Sequence, residues 1–200
     1  MCGRFTQHYT WAQIVALYRL TQPALNLNPH YNIAPTDTID AVIRHGGDRE
    51  LLRMRWGLIP AWWKKTAKEA PPTFNARAHT VATKPTFRDS FWRRYITAVD
   101  GGVLSFAGLW DEWKDIETGA AVKSATIIVT AAYNALTRAI HDRMPVIFDQ
   151  HDVDRWLTGK IGADALQPAP NDALRMWPVS RRVNRTVGQD DAKLIEAVAP

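Results

Sequence analysis

The residue with the clearest chemical potential is Cys2, the single cysteine in the 200-residue sequence, which directly follows Met1. Cysteine is small enough for a preceding methionine to be removed, which would leave an α-amine and a thiol on one residue. Thiolate and uncharged amine both attack carbonyl carbon, and together they close a thiazolidine ring with an aldehyde. The α-amine titrates near pH ~8, so an appreciable fraction is uncharged at neutral pH. The alternative is that Cys2 is incidental to the terminus.

Two further clusters combine polar groups in a way that suits catalysis or phosphate binding. His141 is followed by Asp142 and Arg143, and such a group is either a structural hydrogen-bonding corner or an acid-base site. A cysteine nucleophile elsewhere favours the acid-base interpretation. Asn75 and Arg77 are two residues apart and share a face if the chain is extended. Arg77 would then bind a phosphate bidentately or serve as a buried structural arginine.

Trp62 and Trp63 form an adjacent pair in a turn that precedes several lysines. Neighbouring residues cannot both face inward on regular structure, so we expect at least one ring to be exposed. Exposed rings beside lysines suit base stacking and phosphate contact. A surface turn over a small hydrophobic cluster is the competing explanation.

The composition limits the classes of function. A net charge of +5, from 25 Lys and Arg against 20 Asp and Glu, favours a polyanionic partner weakly. A single cysteine excludes an intramolecular disulfide and a multi-cysteine zinc site. The spacing of the six histidines predicts no metal site, and we expect no cofactor. No charged-then-apolar leader and no apolar run near the ~18 residues of a membrane span is present, which predicts a cytoplasmic protein without membrane contact.

The elements that must position these residues follow from periodicity and turn chemistry. A chain of 200 residues suits one domain, here residues 1–200. Thr10 and Gln13 read as a capping box for a helix that extends to Leu20 and ends by Pro23. Predicted strands cover 38–45, 50–57, 95–99, 103–109, 125–131, 145–148 and 176–179, and helices 134–139 and 151–157. The pattern predicts an α+β domain with a mainly antiparallel, barrel-like sheet and flanking helices.

Several segments occur together in an order that resembles one family. They are MCGRF at 1–5, YNIAP at 31–35, WGLIP at 56–60, FNARA at 74–78 and IHDRMP at 140–145. The chain is similar in these motifs to the SOS response-associated peptidases, the abasic-site processing proteins. The resemblance implies a basic groove for single-stranded DNA that contains abasic sites. It also implies covalent capture of the ring-opened sugar aldehyde by Cys2 as a thiazolidine crosslink, with lyase activity and removal of Met1.

The resemblance also assigns roles to individual residues. Cys2 would be the nucleophile, Asn75 would position the sugar, and His141 would be the acid-base group. The DNA-binding residues implied or suggested by the motifs are Arg4, Asn32, Trp62, Trp63, Arg77, Thr130 and Arg143. The protein is expected to act as a monomer that associates with the nucleoid when bound to DNA.

One departure from the family pattern concerns the carboxylate that usually joins the active site. Residues 95–98 run directly into 99–110, which we interpret as a deletion of a few tens of residues that removes the glutamate segment. Glu112 superficially mimics the lost residue, although Ala107-Gly108-Leu109-Trp110 aligns better with a downstream strand. A lost general acid-base group typically costs ~10²–10⁴ in rate. Loss of a strand and hairpin could also expose a sheet edge.

Three functions therefore remain open at this point. The first is covalent capture of abasic sites through Cys2. The second is a non-catalytic module that binds single-stranded DNA, which would show salt-sensitive binding without a covalent product. The third is a peptidase with an amino-terminal Cys2 nucleophile and His141 as base.

Overall fold

A computed structural model describes residues 3–81, 103–185, 188 and 190–198, together with the backbone of 92–99 and without the side chain of Leu136. Met1 and Cys2 lie outside the described residues. The strands are β1 (Phe5–Gln7), β2 (His30–Ile33), β3 (Thr38–His45), β4 (Asp48–Trp56), β5 (Asn75–Arg77), β6 (Trp92–Val99), β7 (Val103–Lys114), β8 (Ala121–Ala131), β9 (Arg143–Pro145) and β10 (Ile147–Phe148). The helices are α1 (Trp11–Tyr18), α2 (Ala135–Arg138) and α3 (Gln150–Leu157).

The β3–β4 hairpin forms where the sequence predicts it. Its turn consists of Gly46 and Gly47 at φ values of +60° and +110°, a backbone conformation that glycine adopts without steric cost. Eight residue pairs register from Thr38–Arg55 to His45–Asp48. On β4, Leu51, Met54 and Trp56 are buried, and arginines occupy positions between them.

The predicted capping box at the start of α1 is confirmed. The Thr10 hydroxyl accepts from the Gln13 N–H at 3.2 Å, and the Gln13 carboxamide accepts from the Thr10 N–H at 2.8 Å. The helix stops earlier than predicted, because Arg19 adopts a left-handed conformation with φ of +54°. Its N–H closes the last turn onto the Val15 carbonyl at 2.7 Å. Pro23 therefore follows the helix end and does not cause it.

The sheet confirms the predicted α+β class. Pairings run from β3 to β4, β8, β7 and β6, and from β6 back to β3. Most are antiparallel, but β4 and β5 pair with β8 in parallel. Because β6 has β3 on one side and β7 on the other, it presents no open edge over the paired residues.

Strand β8 is the element on which the other parts converge. One side pairs with β4 at Ser124–Ala125 and then with β5 at Ile127–Val129. The other side pairs with β7 as far as Ile127 and then with β9 from Val129 to Ala131. Both flanks of the second half of β8 therefore belong to the short strands β5 and β9, which carry the predicted site residues.

Two hydrophobic clusters cover the two faces of the sheet. One contains Ile14, Tyr18, Leu51, Ile128 and Trp156, from α1, α3 and the sheet. In it the Tyr18 hydroxyl and the Ser105 hydroxyl lie 2.6 Å apart, and burial raises the pKa of Tyr18 well above its usual range.

The second cluster is built around the N-terminal strand. Phe5 meets Trp56 edge to face at 4.8 Å between ring centroids, and Ile127 and Val129 of β8 belong to the same cluster. Such edge-to-face pairs add to the free energy of burial. This cluster fixes Phe5, and with it the chain that follows residue 2, against the sheet.

Two predicted elements differ in the structure. The predicted strand at 176–179 is wrong. The segment forms only an isolated bridge between Val179 and Ala197, because the described residues offer it no strand to pair with over its whole length. The predicted strand 145–148 is divided into β9 and β10, since the Val146 N–H turns to Ile128 and its carbonyl to Ala107. Among the described residues, no helix is long and apolar enough to cross a membrane.

Candidate functional site

Three of the predicted site residues lie on one face of the sheet around the end of β8. Asn75 is in register with Ile127, Arg77 with Val129 and Arg143 with Ala131. Alternate residues of a strand point to the same face, and residues in register share it. Arg77 and Pro145 flank Val129 from the two sides, so β5 and β9 are about 10 Å apart there.

This face is also the one on which the N-terminal strand packs. Ile127 and Val129 contact the cluster that contains Phe5 and Trp56, and Phe74, directly before β5, meets Trp56 at 6.0 Å between ring centroids. The Trp56 indole N–H also donates to the Phe74 carbonyl at 2.9 Å. Phe5 therefore packs on the same face of the sheet as Ile127, the residue in register with Asn75.

His141 lies in the turn between α2 and β9 and forms a compact corner with its two successors. Its Nδ1 accepts from the Arg143 N–H at 3.0 Å and lies 2.7 Å from Asp142 Oδ1. Arg143 Nε is 3.7 Å from Asp142 Oδ2. In the neutral ring that accepts at Nδ1, the hydrogen is on Nε2. A protonated ring would instead donate from Nδ1 to Asp142, so the corner accommodates both protonation states.

Arg4 and Asn32 are joined to each other and to the C-terminal segment. Arg4 Nη1 donates to Asn32 Oδ1 at 2.6 Å and to the Arg185 carbonyl at 3.2 Å, and Nη2 donates to the Asn184 carbonyl at 3.2 Å. Asn32 Nδ2 also donates to the Arg185 carbonyl, at 2.8 Å. These contacts fasten the N-terminal strand to residues 184–185.

The two adjacent tryptophans have different environments, as the sequence predicts. Trp62 is 45% exposed. Trp63 is half-buried, its indole N–H donates to the Thr66 carbonyl at 3.0 Å, and its own carbonyl accepts from the Trp113 indole at 2.8 Å. Trp63 thus anchors the turn, and Trp62 presents a ring to solvent.

Two other predicted site residues are not brought together with this group. Glu112 is in register with Lys123 near the start of β8 and forms an ion pair with it at 3.9 Å. Eight residues of strand, about 26 Å, separate Lys123 from Ala131. Thr130 is in register with Met144, so its side chain points to the opposite face from Asn75, Arg77 and Arg143.

The cavity beside Asn32 is acidic. It measures about 540 Å³, and its lining includes Asp37, Asp40 and Asp190 as well as His30 and Arg53. Burial raises the pKa of Asp40, opposed by a hydrogen bond from the Tyr9 hydroxyl and by the nearby Arg53 and His30. Three carboxylates make this cavity a poor site for a phosphate.

A group of possible metal ligands occurs at the start of α3, where histidine spacing alone did not indicate one. Ligand atoms of Asp149, His151 and Asp152 lie within 4.8 Å of one another. Asp149 already accepts from the Asp152 N–H at 2.8 Å as the helix cap, and Asp152 pairs with Arg155 at 3.1 Å. Both carboxylates therefore have structural roles in the helix.

The comparisons with known proteins agree with this architecture. The sequence model of the family described as SOS response associated peptidase matches residues 1–101 and 92–186. The chain therefore belongs to the SOS response associated peptidase family.

The relatives carry names that refer to abasic-site processing. The abasic site processing protein YoqW of Bacillus subtilis (strain 168) is 35% identical over 214 residues, which covers 92% of this chain and 94% of the relative. YedK of Escherichia coli (strain K12), with the same description, is 28% identical over 236 residues and covers 99% and 100%. HMCES of Mus musculus is 27% identical over 223 residues and covers 79% and 62%.

Solved structures share the fold. A crystal structure of a protein from Bacteroides thetaiotaomicron superposes with a TM-score of 0.82 at 21% identity and covers 99% of this chain and 100% of the other. A protein from Bordetella bronchiseptica has a TM-score of 0.69 at 24% identity and covers 86% and 96%. At this level of identity the likeness concerns the fold.

The contacts of the C-terminal segment are the part of the site that the sequence did not reveal. The Asp190 carboxylate accepts from the Tyr31 N–H at 2.6 Å and lies 3.2 Å from His30 Nδ1, across about 160 residues of sequence. The acceptors for Arg4 and Asn32 are the backbone carbonyls of 184–185, and carbonyls leave no trace in side-chain patterns.

Proposed function

We propose that this protein recognises abasic sites in single-stranded DNA and captures the sugar aldehyde covalently through Cys2. The observation that carries the proposal is the joint placement of Asn75, Arg77 and Arg143 on the face against which the N-terminal strand packs. The His141 corner follows directly at the same end of β8. Membership of a family whose relatives are named for abasic-site processing supports the choice of substrate.

The chemistry uses the two nucleophiles that loss of Met1 would expose. The ring-opened abasic sugar presents an aldehyde, and the Cys2 amine adds to its carbon and expels one water to give an imine. The Cys2 thiolate then adds to the imine carbon and closes a thiazolidine, so that one C–N and one C–S bond replace the carbonyl C=O. The nitrogen takes up the proton that the thiol gave up.

His141 is the proposed acid-base group. The protonated ring, whose Nδ1–H donates to the Asp142 carboxylate 2.7 Å away, gives up its Nε2 proton to assist opening of the sugar ring and loss of water. The neutral ring that results keeps the Nδ1 proton and takes a proton back at Nε2. Asn75 orients the sugar, and the same groups acting in reverse would release the crosslink. Lyase activity would instead start from the imine: removal of a C2′ proton breaks the C3′–O bond, and the 3′ phosphate leaves.

The remaining residues are proposed to hold the strand. Arg77 and Arg143 bind successive phosphates, and Trp62 stacks on a base. Arg4 and Asn32, already tied to residues 184–185, position the N-terminal segment that carries Cys2. Removal of Met1, by the protein itself or by an aminopeptidase, is required.

The deletion inferred between residues 95 and 110 implies slow capture. Glu112 pairs with Lys123 at a distance from the His141 corner, so it is a poor replacement for the missing carboxylate. This placement favours a second candidate, a module that binds single-stranded DNA without chemistry.

An oligonucleotide with one abasic site separates these two candidates. We expect the wild-type protein to form a crosslink that survives denaturing electrophoresis without borohydride, and Cys2→Ala to form none. Cys2→Ser, which keeps the amine and exchanges the thiol for a hydroxyl, is the matched control and should form only a borohydride-dependent adduct. A borohydride-independent crosslink in Cys2→Ala would refute capture by Cys2. Binding by the wild type without any adduct would favour the module.

A further inference from the structure

Two large apolar side chains beside the His141 corner are exposed to solvent. Tyr133 is 74% exposed and Ile140 is 68% exposed. Ala132 and Asn134, the neighbours of Tyr133, are buried, and the Asn134 amide donates to the carbonyls of Ala169 and Pro170. Because the backbone is anchored on both sides, the exposure of Tyr133 is a property of the fold at this position.

The segment 132–142 forms a loop that closes on itself and presents both side chains beside His141. The Ala132 N–H donates to the Asp142 carbonyl at 2.9 Å, which joins the two ends of the loop. The Thr137 carbonyl accepts from the N–H groups of Ile140 and His141 at 3.0 Å and 2.9 Å. Tyr133, Arg138, Ile140 and His141 line one open cavity of about 460 Å³, together with Asp142, whose carboxylate lies beside His141 and Arg143.

The composition of this cavity suits a nucleotide. An exposed aromatic ring provides a face for a base, since every base has a π-face that stacks on aromatic side chains. Arg138 is exposed at the end of α2 and forms no ion pair with any other residue in the described part of the chain. A guanidinium that forms no ion pair with a described residue and lines the same cavity as the ring matches the phosphate that accompanies a base.

We propose that Tyr133 and Ile140 form a stacking platform for the unpaired base next to the abasic sugar, with Arg138 on the phosphate of that nucleotide. This inference rests on the proposed function, because it takes the sugar to lie at His141. The platform would hold the neighbouring base out of the stack and so keep the abasic sugar within reach of the acid-base group.

Binding to two matched single strands tests the platform. Both carry a tetrahydrofuran residue, a stable abasic analogue without an aldehyde, and in the second strand the two flanking bases are also replaced by tetrahydrofuran. By fluorescence anisotropy we expect Tyr133→Ala to weaken binding of the first strand roughly tenfold, the loss of one base–aromatic stack, with little change for the second. Tyr133→Phe keeps the ring and should bind like the wild type.

Two further variants complete the experiment. Ile116→Ala removes a 54% exposed side chain in the turn between β7 and β8, and we expect it to leave both affinities unchanged. Arg138→Gln should reduce the slope of log affinity against log salt by about 0.7, the contribution of one phosphate in a single strand. It tests the platform even if Tyr133→Ala does not fold.

The outcomes separate this proposal from the capture proposal. Equal affinity of wild type and Tyr133→Ala for the first strand, or an equal loss on both strands, would overturn the platform. A binding loss that depends on the flanking bases, in a protein that never forms an adduct with a true abasic site, would support the platform and reject capture. Binding of neither strand by the wild type would overturn both, and the exposed surface would then require a different class of partner.

Discussion

The two ends of β8 have opposite characters. Near its start, Lys123 pairs with Glu112 on β7, and the adjoining turn is fixed by the Trp113 indole bound to the Trp63 carbonyl. At its end, Ala131 pairs with Arg143 on β9, and β5 brings Arg77 alongside Val129. The first end satisfies its charges internally, and the second end gathers polar side chains next to an exposed imidazole.

The difference shows that one end of β8 contributes to the stability of the fold, whereas the other end carries the residues of the proposed site. At the start of β8 a long antiparallel pairing with β7 closes the sheet. At its end two strands of only three residues each flank it. Short strands that leave quickly into loops place side chains at the rim of the sheet, where a ligand can reach them.

The comparison predicts the largest effect for His141, the proposed acid-base residue. His141→Asn keeps an acceptor for the Arg143 N–H but cannot transfer a proton, so we expect the rate of adduct formation with abasic single-stranded DNA to fall by about 10²–10⁴. Glu112→Gln, at the other end, should remain within about twofold of wild type. Rapid-quench or gel-based rate measurements distinguish the two variants. A large loss in Glu112→Gln with little loss in His141→Asn would reverse the assignment.

Substitution of the two adjacent tryptophans should have smaller effects, on stability for Trp63 and on DNA binding for Trp62. Trp63→Ala removes a half-buried ring and its bond to the Thr66 carbonyl, so we expect a loss of about 2 kcal/mol in unfolding free energy. Trp62→Ala should leave the urea midpoint nearly unchanged but weaken single-strand binding several-fold, since only a stacking ring is lost. If Trp62→Ala destabilises the fold as much as Trp63→Ala, the Trp62 ring is structural.

The smallest effect concerns Asp40, a half-buried carboxyl at neither end of β8. The folded-state pKa of Asp40 is raised above its ordinary value of 3.8, so the folded protein binds this proton more tightly than the unfolded chain. The contribution to stability is therefore greatest below pH 3.8 and declines as the pH rises through the raised folded pKa. Asp40→Asn, which still accepts from the Tyr9 hydroxyl, should remove this decline.

Thermal melts between pH 3 and pH 7 measure the contribution of Asp40. The exposed substitution Asp172→Asn is the control and should retain the wild-type dependence on pH. An unchanged slope in Asp40→Asn would mean that other groups account for it. The experiment matters for the site because Asp40 lines the acidic cavity beside Asn32, and a change in folding there would otherwise be mistaken for an effect on chemistry.

Local chemistry explains which elements the sequence predicts well. The capping box at Thr10 and the Gly46–Gly47 turn are each encoded within a few residues, and both form as predicted. The predicted end of α1 was wrong because the helix ends at Arg19 in the left-handed conformation. Arginine at this position is not a recognisable stop signal, whereas glycine is. The 176–179 segment has strand-like composition but forms only one bridge. Whether a neighbouring strand is present for pairing depends on the whole fold and cannot be predicted from the local sequence.

The same distinction between local and long-range information applies to the site. The motifs around Asn75, Arg77 and His141 indicate which residues matter, and the parallel pairing of β5 with β8, which no local pattern predicts, brings the first two to the rim with Arg143. Glu112 was a candidate by sequence similarity alone, and its register with Lys123 places it elsewhere. Tyr133 carries no motif, so its role beside His141 depends on the closure of the 132–142 loop.

Intact-mass spectrometry of the purified protein, alone and after incubation with single-stranded DNA that carries one abasic site, shows whether Cys2 captures the sugar covalently. We predict a protein that lacks the mass of Met1 and that gains one DNA molecule with loss of one water. A processed protein that binds this DNA but never gains its mass would contradict covalent capture. A protein that retains Met1 would lack the free aminothiol on which the account depends.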